Sequence, residues 1–171
     1  MTDRILVLGD APTTPLLDAE PDFVTVEDLG EAARADPRAI AQFAALPSRP
    51  TRAMVKRALH DHVFEAVRAA RHHPRVRHIV VIVVADAELP PFFDRLASAV
   101  ATRAHAELER VSGRDIELTV LDASECPRAN LLINRIRLRS ADPAGTHGVV
   151  VLRWEDISTQ DIAQAAREQY L

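Results

Sequence analysis

The sequence predicts an α/β fold, a single three-layer domain with a doubly wound, mostly parallel sheet of about five strands, Rossmann-like in its winding. The run Ile79-Val80-Val81-Ile82-Val83-Val84-Ala85-Asp86 is apolar, mostly β-branched and without alternation. That is how a strand buried on both faces reads, and such strands belong mainly to parallel sheets covered by helices. Long amphipathic segments flank it at 51–71 and 91–111. Strand-like and helix-like stretches alternate along the chain, the pattern of βαβ units with right-handed crossovers. At 171 residues and 47% hydrophobic, a chain can bury roughly 68–70% of its unfolded surface in one core, so residues 1–171 are expected to form one domain.

The elements follow in order. Arg4-Ile5-Leu6-Val7-Leu8-Gly9-Asp10 reads as a first buried strand that breaks into a loop, because Pro12 and Pro15 forbid immediate helix propagation. Phe23 to Val26 is a short second strand. Leu29 to Ala45 has the alanine content and spacing of a helix, which Pro37 either kinks or restarts with Asp36 as N-cap. From Thr51 to Arg71 the apolar positions Met54, Val55, Ala58, Leu59, Val63, Ala66, Val67 and Ala70 keep helical spacing, and Pro74 ends the segment.

After the central strand, Pro90 and Pro91 sit where a first helical turn tolerates proline. The next helix carries Phe92, Phe93, Leu96, Val100, Ala104, Leu108 and Val111 on one face and stops at Gly113. Ile116 to Leu121 is a strand, and Asn130 to Arg139 fits helix or strand. Gly148 to Trp154 is a last strand, followed by a helix to Gln169 capped by Ser158.

Composition narrows the function classes. A formal charge of −4 and a pI near 6.0 argue against a strong field for nucleic acid or anionic membranes, and the local cluster Arg68, Arg71, Arg75, Arg77 reads as a solvated helix end. Twenty of the 21 basic residues are arginine, Lys56 being the exception, a bias expected of a bacterial, GC-rich genome. Cys126 is the sole cysteine, so no intramolecular disulfide can form. No charged-then-apolar leader follows Met1 and no apolar run is long enough to span a bilayer, so a cytoplasmic protein is expected.

In open α/β sheets ligands bind beyond the carboxyl ends of the strands. The residues there are acidic: Asp10, Asp86, Asp122 and the pair Glu155-Asp156. They can gather into a hard-cation or ligand site, or cap helices and shape Asx turns, the commoner use. Asp122-Ala123-Ser124-Glu125 has the look of such a cap. Neither G-x-G-x-x-G nor G-x-x-x-x-G-K-[ST] occurs, and only Gly9 stands in the first loop. Thr13 and Thr14 can still donate hydroxyls to a ligand there, although Asp10 repels a pyrophosphate. No cofactor and no metal is expected.

The seven histidines include His60, His62, His72, His73 and His78, but His60 and His62 face different sides of a helix and no H-E-x-x-H is present. His105 is a lone candidate base. Cys126 follows a strand, where a helix amino end can activate a thiolate, while Glu125 beside it opposes that and packing is the ordinary role of such a cysteine.

The stretch Ile79–Leu121 resembles the central part of a short-chain dehydrogenase/reductase: the strand Ile79 to Ala85, the helix with Ala104-His105-Ala106-Glu107-Leu108, and the strand Ile116-Glu117-Leu118-Thr119-Val120. The helix 51–71 suits the family's preceding helix. The family's glycine-rich first turn, its Asn-Asn-Ala-Gly segment and its Tyr-x-x-x-Lys are absent here. Tyr170 is the one tyrosine, and the tyrosine and lysine positions fall near Pro90 and Asp94. The resemblance therefore implies a core without the standard NAD(P)-dependent hydride transfer. It also implies association through the two long helices. The expected function is that of a catalytically inactive subunit working as a homodimer, or as a heteromer with an active reductase-like or biosynthetic enzyme, through helices 51–71 and 91–111. The alternative is an enzyme acting on a small acyl or metabolite substrate with Asp10, Asp86 and Asp122. Neither reading involves nucleic acid or a membrane.

Overall fold

A computed structural model describes residues 4–10, 17–25, 36–143 and 147–169. Six strands form one all-parallel sheet: β1 Ile5–Leu8, β2 Phe23–Thr25, β3 Ala39–Leu46, β4 His78–Ala85, β5 Glu117–Asp122 and β6 Val149–Arg153. Their spatial order is β2-β1-β3-β4-β5-β6. Among the described residues the helices are α1 Arg52–His72, α2 Phe93–Ser112, α3 Ala129–Ala141, the single turn α4 Trp154–Ile157, and α5 Ile162–Gln169. Among the described residues no helix is long and apolar enough to cross a membrane.

The doubly wound, three-layer arrangement is the one expected, with one more strand. The additional strand corrects the helix expected over Leu29 to Ala45: Ala39–Leu46 is β3, and residues 29–35 lie outside the described residues. Ala39-Ile40-Ala41-Gln42-Phe43-Ala44-Ala45-Leu46 pairs residue for residue with His78 to Ala85, and every side chain except Ala45 is buried. Its alanines favour a helix in isolation. The strand wins because both faces and both edges are occupied in the middle of the sheet, and such burial overrides a propensity difference of tenths of a kcal/mol per residue. Asp36, expected as an N-cap, instead takes φ 46°, and Pro37 leads the chain into the strand.

β1 and β4 lie where expected, and β2 is described to Thr25. On α1, Thr51 Oγ1 accepts the Met54 amide at 3.3 Å, the cap that a threonine supplies. The expected stripe is buried apart from Ala58, half-buried, and Met54, 45% exposed. At its other end Arg114 donates to the carbonyls of His73 and Ala70 at 2.9 and 2.7 Å, satisfying acceptors a helix end leaves open. Gly113 ends α2 in the left-handed region at φ 59°, while Val111 is exposed. The ambiguous segment is helical, as α3. The Ser158 cap is corrected: Asp161 Oδ1 accepts the Gln164 amide at 2.7 Å and opens α5, while Ser158 closes α4. Trp154 belongs to α4 instead of the strand.

The core divides at the sheet. One layer joins α1 and α2 to Leu6, Ile40, Ile79, Val81, Leu118 and Val120. The other joins α3, α4 and α5 to Ile5, Val7, Phe43, Val80, Ile82, Leu121 and Leu152. Strands β3 to β6 advance in one direction, yet α1 and α2 lie on one face and α3 on the opposite one. The β5–α3–β6 connection therefore has the opposite hand to β3–α1–β4 and β4–α2–β5, which corrects the uniform right-handedness expected. α2 already covers β5 and β6 on its own face, so α3 buries Leu132, Ile133 and Ile136 on the other. At the outer edge, Gln169 Nε2 donates to the Val151 carbonyl at 2.8 Å.

Candidate functional site

The strand order advances from β1 toward β2 on one side and from β3 toward β6 on the other, so the direction of winding reverses between β1 and β3. That is the crevice where doubly wound sheets take ligands, and the order is the flavodoxin type lengthened by one strand. At the tip of β1, Gly9 has φ 76°, and a Cβ there would stand 2.3 Å from the Phe43 carbonyl oxygen. Only glycine fits this contact. Asp10 follows it, exposed. Thr13 and Thr14 lie outside the described residues.

Beside Gly9 on β3, Gln42 is completely buried. Its Nε2 donates to the Phe43 carbonyl at 3.2 Å and stands 3.1 Å from His62 Nδ1 on α1. Its Oε1 is buried with no partner among the described residues. His60, two residues away, is exposed and stacks on Phe64 with ring centroids 4.6 Å apart, so the two histidines do face different sides. A groove of about 290 Å³ adjoins His62 between the end of β3 and the first half of α1.

The other strand ends are knit together. Asp86 accepts from Ser48 Oγ at 3.3 Å. Asp122 Oδ1 accepts the Ser124 amide at 3.0 Å, the Asx turn that the sequence suggests, and Ser124 Oγ accepts the Ala85 amide at 3.0 Å. These two bonds tie the tips of β4 and β5. Asp156 Oδ2 accepts the Arg153 amide at 2.7 Å, while the Arg153 guanidinium gives Asp94 two bonds of 3.2 and 2.9 Å. The Asp94 hydrogen bond holds the Arg153 pKa above its usual value. Glu88, Asp122, Glu125, Arg153, Trp154 and Glu155 line a small cleft of about 90 Å³. Asp10 and Asp122 stand three strand spacings apart, about 14 Å, so the strand-end acids do not converge on one point. Among the described residues no group of three or more His, Cys, Asp or Glu is placed to hold a metal.

Cys126 is half-buried and its Sγ donates to the Arg128 carbonyl at 3.3 Å. Burial pushes its thiol up, against weaker opposing hydrogen bonds from the backbone at Arg128 and Leu132. This is the reverse of the activation a nucleophile needs. His105 lies on α2 beside Gly148, at the amino end of β6 and away from the carboxyl rim. His73 has its pKa lowered, mainly by burial and then by His72.

The sequence reading missed the most charged part of the interior. His78 and Glu117 are register partners at the starts of β4 and β5, and Arg139 reaches them from α3. Their side chains are 1%, 1% and 2% exposed. Glu117 Oε2 lies 2.5 Å from Arg139 Nη2 and 3.3 Å from His78 Nδ1, and Oε1 accepts the His147 amide at 2.9 Å. His78 Nε2 meets the Asp142 carbonyl at 2.9 Å, and Asp142 Oδ2 stands 3.4 Å from Arg139 Nη1. The available signal was Arg139 itself, an arginine on the otherwise apolar face Leu132-Ile133-Ile136. The cluster sits at the amino ends of the strands, away from the rim, and joins β4, β5 and α3.

Compared with protein-family models, with curated proteins and with solved structures, the chain finds no match.

Proposed function

We propose that this chain is a non-catalytic Rossmann-like subunit that acts by association, pairing with a second copy of itself through the outward faces of α1 and α2. The observation that carries the reading is the surface of α2. Ser98, Ala99, Thr102 and Ala106 are all exposed there, with Arg103 and Arg110 alongside, and small side chains let a partner helix approach closely. α1 runs beside it, tied by Arg71 to Glu107 at 2.6 Å, so the two helices offer one continuous face. The rim supports the same reading: Asp86, Asp122 and Arg153 hold turns and strand ends together, and burial pushes the Cys126 thiol pKa up, away from the activation a nucleophile needs.

The experiment is a native mass measurement at micromolar concentration on the full chain and on the double variant Thr102→Glu/Ala106→Glu. A dimer that the double variant dissociates, with the far-UV spectrum kept, is the expected result. A monomeric full chain overturns association between copies, and a dimer indifferent to both substitutions overturns this face.

A further inference from the structure

The fold does not require Gln42 to be polar. It lies in the middle of β3 at 0% exposure, where its neighbours Ile40 and Ala44 on the same face are apolar, and it keeps a buried acceptor, Oε1, with no partner among the described residues. An unpaired buried acceptor costs stability that an aliphatic residue of the same shape would not. What Gln42 does is fix His62. Its amide orientation is set by the Phe43 carbonyl, which can only accept, so Nε2 is the atom 3.2 Å away. The second hydrogen on Nε2 then faces His62 Nδ1 at 3.1 Å. Nδ1 must be the ring's acceptor and the ring proton must sit on Nε2. The Glu65 carboxylate, 3.7 Å from Nδ1, is beyond hydrogen-bond range.

His62 lines the groove at the end of β3 and its side chain is 29% exposed, and Nε2 is the ring nitrogen that Gln42 does not engage. The wall beside it is apolar, made by Leu46, Pro47, Met54 and Ala58. At its edge Arg57 and Asp61 pair at 3.6 Å and cancel one another's charge. A volume of about 290 Å³ is at the small end of ligand sites. The groove lies at the carboxyl end of β3, one of the two strands between which the winding reverses.

We infer that this groove binds a small compound with a short aliphatic body and a carbonyl oxygen at its head, a carboxylate or an amide, and that His62 Nε2–H donates to that oxygen while Gln42 holds the ring in the donating tautomer. Gln42 is a positioning residue here, and His62 touches the ligand.

The test uses the full chain and three probes of one length, hexanoate, hexanamide and hexylamine, followed by NMR. Long-range nitrogen–proton correlation is expected to show His62 protonated at Nε2. Hexanoate and hexanamide are expected to shift the His62 ring and Met54 methyl signals together, and hexylamine, which offers no acceptor, to leave the His62 ring unshifted. Gln42→Leu should fold at least as stably as the parent, lose the single tautomer, and bind hexanamide about fivefold more weakly, the loss of one hydrogen bond's worth of affinity. His62→Phe should keep the apolar groove but erase the preference for the amide over the amine. The inference is overturned by a proton on Nδ1, by equal binding of all three probes, by hexanamide affinity unchanged in Gln42→Leu, or by the absence of any shift at His62.

Discussion

Removing one carboxylate from the buried cluster at the amino ends of β4 and β5 should destabilise the whole fold. Glu117→Leu replaces a side chain that is 1% exposed and that faces Arg139, His78 and the His147 amide at 2.5, 3.3 and 2.9 Å. The guanidinium left behind is 2% exposed, and among the described residues the carboxylate it still faces is the more distant Asp142, at 3.4 Å. Breaking a buried pair in this one-sided way costs about 3–5 kcal/mol, because an uncompensated charge stays inside. For a chain of 171 residues, each kcal/mol moves the melting temperature by about 2–4 °C, so the transition should fall by about 6–20 °C. Arg139→Met in the same chain removes the stranded cation. Replacing a buried pair by apolar groups is often neutral, so the double variant should recover all but the cost of taking the Glu117 acceptor from the His147 amide, about 1–3 kcal/mol. Urea unfolding of wild type, both singles and the double closes the cycle, with an unchanged slope showing that the unfolded state is the same. The reasoning fails if Glu117→Leu costs under about 1 kcal/mol, or if the double variant is no more stable than the worse single variant.

Three further outcomes follow from local geometry. Gly9→Ala places a Cβ 2.3 Å from the Phe43 carbonyl at φ 76°, whereas Gly113→Ala meets nothing within 4 Å at φ 59°; thermal unfolding should show the second losing about 1 kcal/mol, the left-handed penalty alone, and the first clearly more. Cys126, with its thiol raised by burial, should react with a disulfide reagent at neutral pH more slowly than free cysteine, and faster labelling would contradict the protonated, half-buried thiol. The lowered pKa of His73 means that the unfolded chain takes up this proton more readily than the folded one. Its contribution to stability is present above the unfolded value near 6.5 and is lost as pH falls from there through the folded value. A His73→Gln variant should therefore lose less stability than wild type between about pH 7 and 5, and identical slopes would remove His73 as the cause.

What could be read from the sequence depended on whether local pattern and tertiary context agreed. Ile79 to Ala85 is β-branched almost throughout, and 51–71 keeps its spacing over about six turns, so β4 and α1 were legible to within a residue. β3 was not, because four of its eight residues are alanine and nothing local tells an alanine-rich central strand from a helix. Its loss also hid the most suggestive arrangement at the rim, since Gln42 and His62 meet only once β3 is a strand under α1. Asp86 and Asp122 were legible as strand-end acids and, for Asp122, as a turn former. That His78 and Glu117 face one another required the register of two strands that no local rule supplies, with Arg139 as the one visible hint.

The bond from Gln169 to the Val151 carbonyl bears on how copies of this protein can meet. A parallel sheet ends in a row of unsatisfied peptide groups, and a stranger's strand can be recruited by them. Here β6 presents that row beside α5, whose Gln169 side chain gives its amide to one of the edge carbonyls, that of Val151. That carbonyl is closed to a strand arriving at β6. A terminal helix therefore does at this border what a charged or proline-bearing edge does elsewhere: it takes an acceptor away from sheet-to-sheet pairing.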